Sequence, residues 1–124
     1  MRIRSKQASS IRRRSGESRC RMIVAERAGM RCEVCCRAGA VEMAHRIARS
    51  QMGEWRASNI LALCHSCHEA QRDAKGGGIV ARALGQTLHP FTDGQRTDPE
   101  SVPVQTIYGR VLLKDDGTVE VIAS

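Results

Sequence analysis

Six cysteines and four histidines carry most of the chemistry available to this 124-residue sequence. Four of the cysteines form two Cys-x-x-Cys pairs, Cys32/Cys35 and Cys64/Cys67, with 28 residues between the pairs. Zinc takes four thiolates in a tetrahedron, and each knuckle turns two sulfurs toward one point. The pattern therefore predicts a structural Zn2+ on Cys32, Cys35, Cys64 and Cys67, with Cys20 and Cys36 outside the set. Cys64–His68 also reads Cys-x-x-Cys-His, the attachment pattern of a c-type haem. That reading would leave Cys32 and Cys35 without a purpose, so zinc is preferred. His45, Asn59 and His68 lie between and just after the pairs, spaced His-x13-Asn-x8-His.

These residues need elements to hold them. Met22, Ile23, Val24 and Ala28 are compatible with one face of a helix at about 18–28, stopped by Gly29. Residues 38–47 read as a hairpin arm or strand carrying His45, and 49–58 as loop. Asn59–Leu63 reads as a short apolar strand or turn into the second knuckle. A helix carrying His68 follows from Cys64 and is expected to end at Gly76-Gly77-Gly78, with one or two more helical turns over 79–84. Residues 86–103 read as loop around Pro90, Pro99 and Pro103. Alternating apolar residues on either side of Asp115-Asp116-Gly117 predict a C-terminal β-hairpin.

With one Phe, one Tyr and one Trp, the chain can bury only a thin core, and a small domain of this kind often needs a metal to supplement it. No apolar run approaches the ~20 residues of a membrane span. The N-terminus has no apolar signal-peptide core. The expectation is a cytoplasmic, non-membrane protein with reduced thiols. Residues 1–31 carry ten Lys/Arg against Glu17 and Glu26, whereas the remainder is nearly neutral. Such a basic arm suits nucleic acid, through phosphate contact and counterion release.

Cys32–Lys75, with its two knuckles around His45, Asn59 and His68, resembles the HNH endonuclease family. The flanks, Asp-Pro-x-x-Val-Pro-Val at 98–104 and Gly-Arg-Val-Leu-Leu at 109–113, are similar to small stand-alone HNH proteins of bacteriophages and prophages. The resemblance implies an α+β fold with a zinc-stabilised ββα-metal core. It implies a disordered basic arm over 1–17, the core over 18–78, and an extension with a β-hairpin over 79–124. It also implies a metal-dependent DNA endonuclease of the bacterial cytoplasm that acts as a monomer or weak dimer. Nicking would leave 5′-phosphate and 3′-hydroxyl ends.

In that scheme His45 is the general base and His68 holds a catalytic Mg2+ or Mn2+. Asn59 pins the loop that orients the base. The chemistry suits the residues: an imidazole with a pKa near ~6.5 can take a proton from water at neutral pH, and a divalent ion neutralises charge on the phosphate. Arg12, Arg13, Arg14, Arg46, Arg49 and Arg72 are the expected DNA contacts. Trp55 reads as a loop anchor packed on the core, and His65 and His89 as surface residues.

The sequence departs from the family at Ala44, where a metal-ligating Asp or His is usual. Glu42 points with Ala44 in a regular strand, so reaching the metal is expected to require a bulge. Asp73 is a weaker candidate. A non-catalytic zinc module is the alternative, binding nucleic acid or serving phage packaging beside a terminase-type partner.

Overall fold

The computed structural model describes residues 15–73 and 76–123. Helix α1 spans Ser15–Ala28, three residues longer at its start than its apolar pattern suggests. It buries Cys20, Val24 and Ala28, spaced i, i+4, i+8 on one face. Met22, expected on that face, is instead 72% exposed. Gly29 ends the helix with φ +60°, a conformation glycine adopts without the Cβ penalty. The expected arm contacts Arg12, Arg13 and Arg14 lie outside the described residues.

Strands β1 (Glu42–His45) and β2 (Ile60–Leu63) pair antiparallel and in regular register, from Glu42 opposite Leu63 to His45 opposite Ile60. All four residues of β2 are buried because both of its faces are covered. Ile60 and Ala62 pack with Cys20, Val24 and Ala28 of α1. Leu61 and Leu63 pack with Ala44, Cys32 and Cys64 on the other face. Burying a leucine fully is worth about 1.5–3 kcal/mol, so the continuous apolar run of β2 is what a strand inside two layers requires.

Helix α2 (His65–Arg72) follows β2 directly, with Cys64 as its N-cap residue. It stops at Asp73, and α3 (Gly76–Ala83) begins within the glycine run that was expected to end α2. The reason is steric. A Cβ on Gly78 would fall on the Asp73 carbonyl oxygen, so only glycine lets α3 start that close to the end of α2.

The segment expected to be loop contains the two-residue strands β3 (Phe91–Thr92) and β4 (Gln95–Arg96), then a 3-10 turn at Pro99–Ser101 capped by Asp98. Strands β5 (Val104–Thr106), β6 (Gly109–Leu113) and β7 (Val119–Ala123) form a three-stranded antiparallel sheet. Val104, Val111 and Leu113 share one buried cluster with Cys32, Ala44, Leu61, Leu63 and Cys64. Strands β5 and β6 thus contribute Val104, Val111 and Leu113 to the same core that the cysteine knuckles share. No described helix is long and apolar enough to cross a membrane.

Candidate metal centre and adjoining cleft

The first knuckle is a tight turn in which the Val34 and Cys35 amides both donate to Cys32 Sγ, at 3.4 Å. The second opens α2. The Sγ atoms of Cys32, Cys35, Cys64 and Cys67 all lie within 4.8 Å of one another, a group that could hold a metal ion. Cys35 and Cys64 Sγ are 3.7 Å apart, close to the ~3.8 Å edge of a tetrahedron with 2.3 Å zinc–sulfur bonds. Burial raises the Cys32 pKa, but backbone amide hydrogen bonds outweigh it and leave the thiol at about 7, whereas burial and the neighbouring sulfurs raise Cys67, and Cys35 is raised as well, so without an ion the four sulfurs share protons among them. Burial pushes Cys20, remote from the cluster, up to about 11.

A buried ion pair seats the first knuckle. Arg27 of α1 forks onto the Glu33 carboxylate at 2.6 and 2.8 Å. The same guanidinium donates to the Ala57 and Ile60 carbonyls. Glu33 Oε1 accepts from the Ala62 amide, and Oε2 from the Tyr108 hydroxyl. Helix α1, β2, the knuckle and the C-terminal sheet thus meet at one carboxylate.

His45 ends β1 on the face opposite Ala44. Its ring packs edge-on against Trp55, with centroids 4.6 Å apart. The His45 Nε2 is buried and has no hydrogen-bond partner among the described residues. Burial lowers its pKa, as do Arg49, Arg21 and His68, so the neutral imidazole is favoured. The following loop is fixed by Asn59, 1% exposed. Its Oδ1 accepts from the Ile47 amide at 2.9 Å, and its Nδ2 donates to the Ile47 and Glu54 carbonyls. Gly53 closes the same loop, where a Cβ would strike the Ile47 carbonyl.

His68 lies one turn into α2, and its Nδ1 is 2.7 Å from Glu42 Oε1. The second Glu42 oxygen is 3.1 Å from His65 Nδ1. Glu42 does point with Ala44, and it reaches His68 without a bulge because the cysteine cluster and α2 occupy that face. His45 and His68 thus sit on opposite faces of β1, linked through space by charge and not by a hydrogen bond. Ala44 itself is fully buried in the core.

Next to His45 is an open cleft of about 850 Å3, walled by Gln71, Arg72, Asp73 and Arg82 among others. Gln71, unmarked by any sequence motif, ties α2 to the end of β1 by donating to the His45 carbonyl at 3.0 Å. Arg72 and Arg49 are exposed, and Arg49 lies over the Trp55 ring. Arg46 is different. Expected as a phosphate contact, it is 1% exposed and spends its guanidinium on the carbonyls of Gly85, Ser58, Pro99 and Val102. Alternation of outward and inward residues cannot foretell this, because all four acceptors come from distant loops. Arg21, overlooked in the sequence, lies 4.7 Å over Trp55.

No protein-family model, curated protein or solved structure matches this chain.

Proposed function

We propose that the chain is a zinc-braced nuclease of the HNH type that nicks DNA. The observation that carries this reading is the local arrangement around His45. The His45 ring, held toward the neutral form, lines a cleft that exposed Arg72 and Arg82 also line, on a loop locked by Asn59.

Zinc on Cys32, Cys35, Cys64 and Cys67 fixes the start of α2. His45 takes the proton from a water attacking phosphorus, and the 3′ oxygen leaves, giving a 5′-phosphate and a 3′-hydroxyl. Arg72, with Arg49 and Arg21 farther along the surface, holds the phosphate backbone without reading sequence. A divalent ion such as Mg2+ or Mn2+ held by His68 would lie on the other face of β1 from His45 and outside the cleft, so its Lewis-acid help is the part of this reading that has no geometric support beside it. Asn59 keeps the imidazole in place by holding Ile47 two residues beyond it.

Incubation of supercoiled plasmid with the zinc-loaded protein and Mg2+ or Mn2+ tests this. Wild type should nick, and His45→Ala should lose about 100-fold or more of the rate. Equal rates in the two proteins would sink the enzyme. One observation favours a second reading, a zinc module that binds nucleic acid without cutting it: the position of the family's missing ligand, Ala44, is sealed in the core. DNA retardation by wild type with no nicking under any divalent ion would select that reading.

A further inference from the structure

We infer that Phe91, at the rim of the cleft, is a stacking platform for an unpaired base of single-stranded DNA, with Arg96 and Arg49 beside it for the phosphates. The chain has one Phe, one Tyr and one Trp. Tyr108 is spent on the Glu33 carboxylate, and Trp55 packs on the core beside α1. The phenylalanine stays 54% exposed, in a protein with little other aromatic mass for its core. That exposure is built in. Phe91 pairs with Arg96 in the β3–β4 hairpin. The connecting Asp93 and Gly94 both have positive φ, 52° and 80°, as in the tight two-residue turn that matches the twist of its strands. The Phe91 amide donates to His89 Nδ1 at 3.1 Å, and the Thr97 amide to the Pro90 carbonyl at 2.9 Å. Arg96 donates to the Gln51 and Met52 carbonyls at 3.2 and 2.6 Å, which fastens the hairpin to the loop after β1. So many ties hold the ring out to solvent in one place.

The surroundings match a single strand. The Arg96 guanidinium lies 5.7 Å over the Phe91 ring, and the ring's exposure leaves the rest of it open. Bases stack on aromatic rings whatever their sequence, and arginine adds cation–π contact and phosphate pairing. Arg49 belongs to the 3-10 turn, Arg49–Gln51, that Arg96 grips, and it is exposed. His89, Pro90 and Gln51 line the cleft, so the ring stands where a strand would enter it. Besides the committed Arg46, the cleft lining and the hairpin carry Arg72, Arg82 and Arg96 against Asp73 and Asp93, and Arg49 adds a fourth cation. That balance suits a polyanion. A duplex keeps its bases stacked on one another, so an open ring finds its partner in unpaired DNA. The choice of DNA, and any bearing on cutting, rests on the nuclease reading above; the ring's preference for an unpaired base does not.

Zinc-loaded full-length protein, without added divalent ion, is titrated into a fluorescein-labelled oligothymidylate and into a labelled duplex of equal length, and fluorescence anisotropy is followed. Phe91→Ala should bind the single strand about 10-fold more weakly and the duplex as wild type does, because the charged contacts serve both. Phe91→Trp should keep wild-type affinity, and the single strand should quench its added indole beyond any change at Trp55. Unchanged zinc content and Trp55 emission in Phe91→Ala show that the fold is intact. Unchanged single-strand affinity in Phe91→Ala, an equal loss on both DNAs, or no added quenching in Phe91→Trp overturns the platform. Cutting with Mg2+ or Mn2+ is scored in parallel. A single-strand affinity that depends on Phe91, in a protein that never cuts, keeps the platform and removes the nuclease. Cutting by wild type with single-strand affinity indifferent to Phe91 does the reverse.

Discussion

Arg27 and Glu33 form a forked ion pair with side chains 2% and 0% exposed, so neither charge has water to fall back on. Removing one partner leaves the other charge buried and uncompensated, which costs far more than the pair itself contributes. Glu33→Ala should destabilise the zinc-loaded protein by about 3–5 kcal/mol. Urea unfolding followed by circular dichroism measures it. A loss no larger than that of an exposed pair such as Arg21–Glu17 would contradict the buried network.

Asn59→Ala should be costly in two different ways. Its three hydrogen bonds disappear, leaving the Ile47 amide with no acceptor in a buried loop, for about 1–3 kcal/mol of stability. If His45 is the base proposed above, nicking should fall further than stability does, because the loop that carries it loses its lock. Unfolding curves and initial rates on the same preparation separate the two effects. A rate unchanged in a folded variant would assign Asn59 to stability alone.

On the proposed nuclease reading, the acid limb of the nicking rate should lie below the ordinary histidine value. Burial, then Arg49, lowers the His45 pKa from 6.5, so the base stays neutral and competent as pH falls to that point. The sign for stability is the same. The folded pKa lies below the unfolded one, so the unfolded chain binds more protons between the two. Stability is then complete above the ordinary value and declines as pH drops through that window. Arg49→Ala should move the acid limb upward, as seen in rate profiles at fixed ionic strength. A downward shift would contradict the electrostatic cause.

With zinc on the four thiols as proposed, its removal by a chelator should unfold more than the two knuckles. Cys32 and Cys64 belong to the same buried cluster as Ala44, Leu61 and Val111, so their uncompensated thiolates would disrupt a shared core. Circular dichroism and Trp55 fluorescence should change in one transition that follows zinc release, and readdition of zinc should reverse it. Two separated transitions would mean that the knuckles are an independent unit.

The parts legible in the sequence were those whose cause is local. Cys-x-x-Cys spacing announces convergent sulfurs because each knuckle is a single turn. The apolar run of β2 and the alternation in β5 and β6 announce buried strands for the same reason. What lay hidden depended on tertiary placement. Arg46 looks like any surface arginine until four carbonyls from separate loops surround it. Glu42 was correctly assigned to the Ala44 face by alternation, but which face α2 would cover is set by the packing of β2 between two layers. The glycine run looked like a helix stop because its composition is permissive, whereas Gly78 is needed for a close approach.

The participation of β5 and β6 in the cysteine cluster's core has a consequence for the order of assembly. Both knuckles precede those strands in the chain, so during synthesis the four thiols are complete while the surfaces that later cover Cys32 and Cys64 do not yet exist. In that interval the sulfurs are open to an incoming ion and to oxidants alike. The sheet packs afterwards against Cys32 and Cys64 and is tied to α1 by the hydrogen bond from the Tyr108 hydroxyl to the Arg27 carbonyl. Contacts so distant in sequence form slowly. Early metal capture would thus protect the thiols until the last strands arrive.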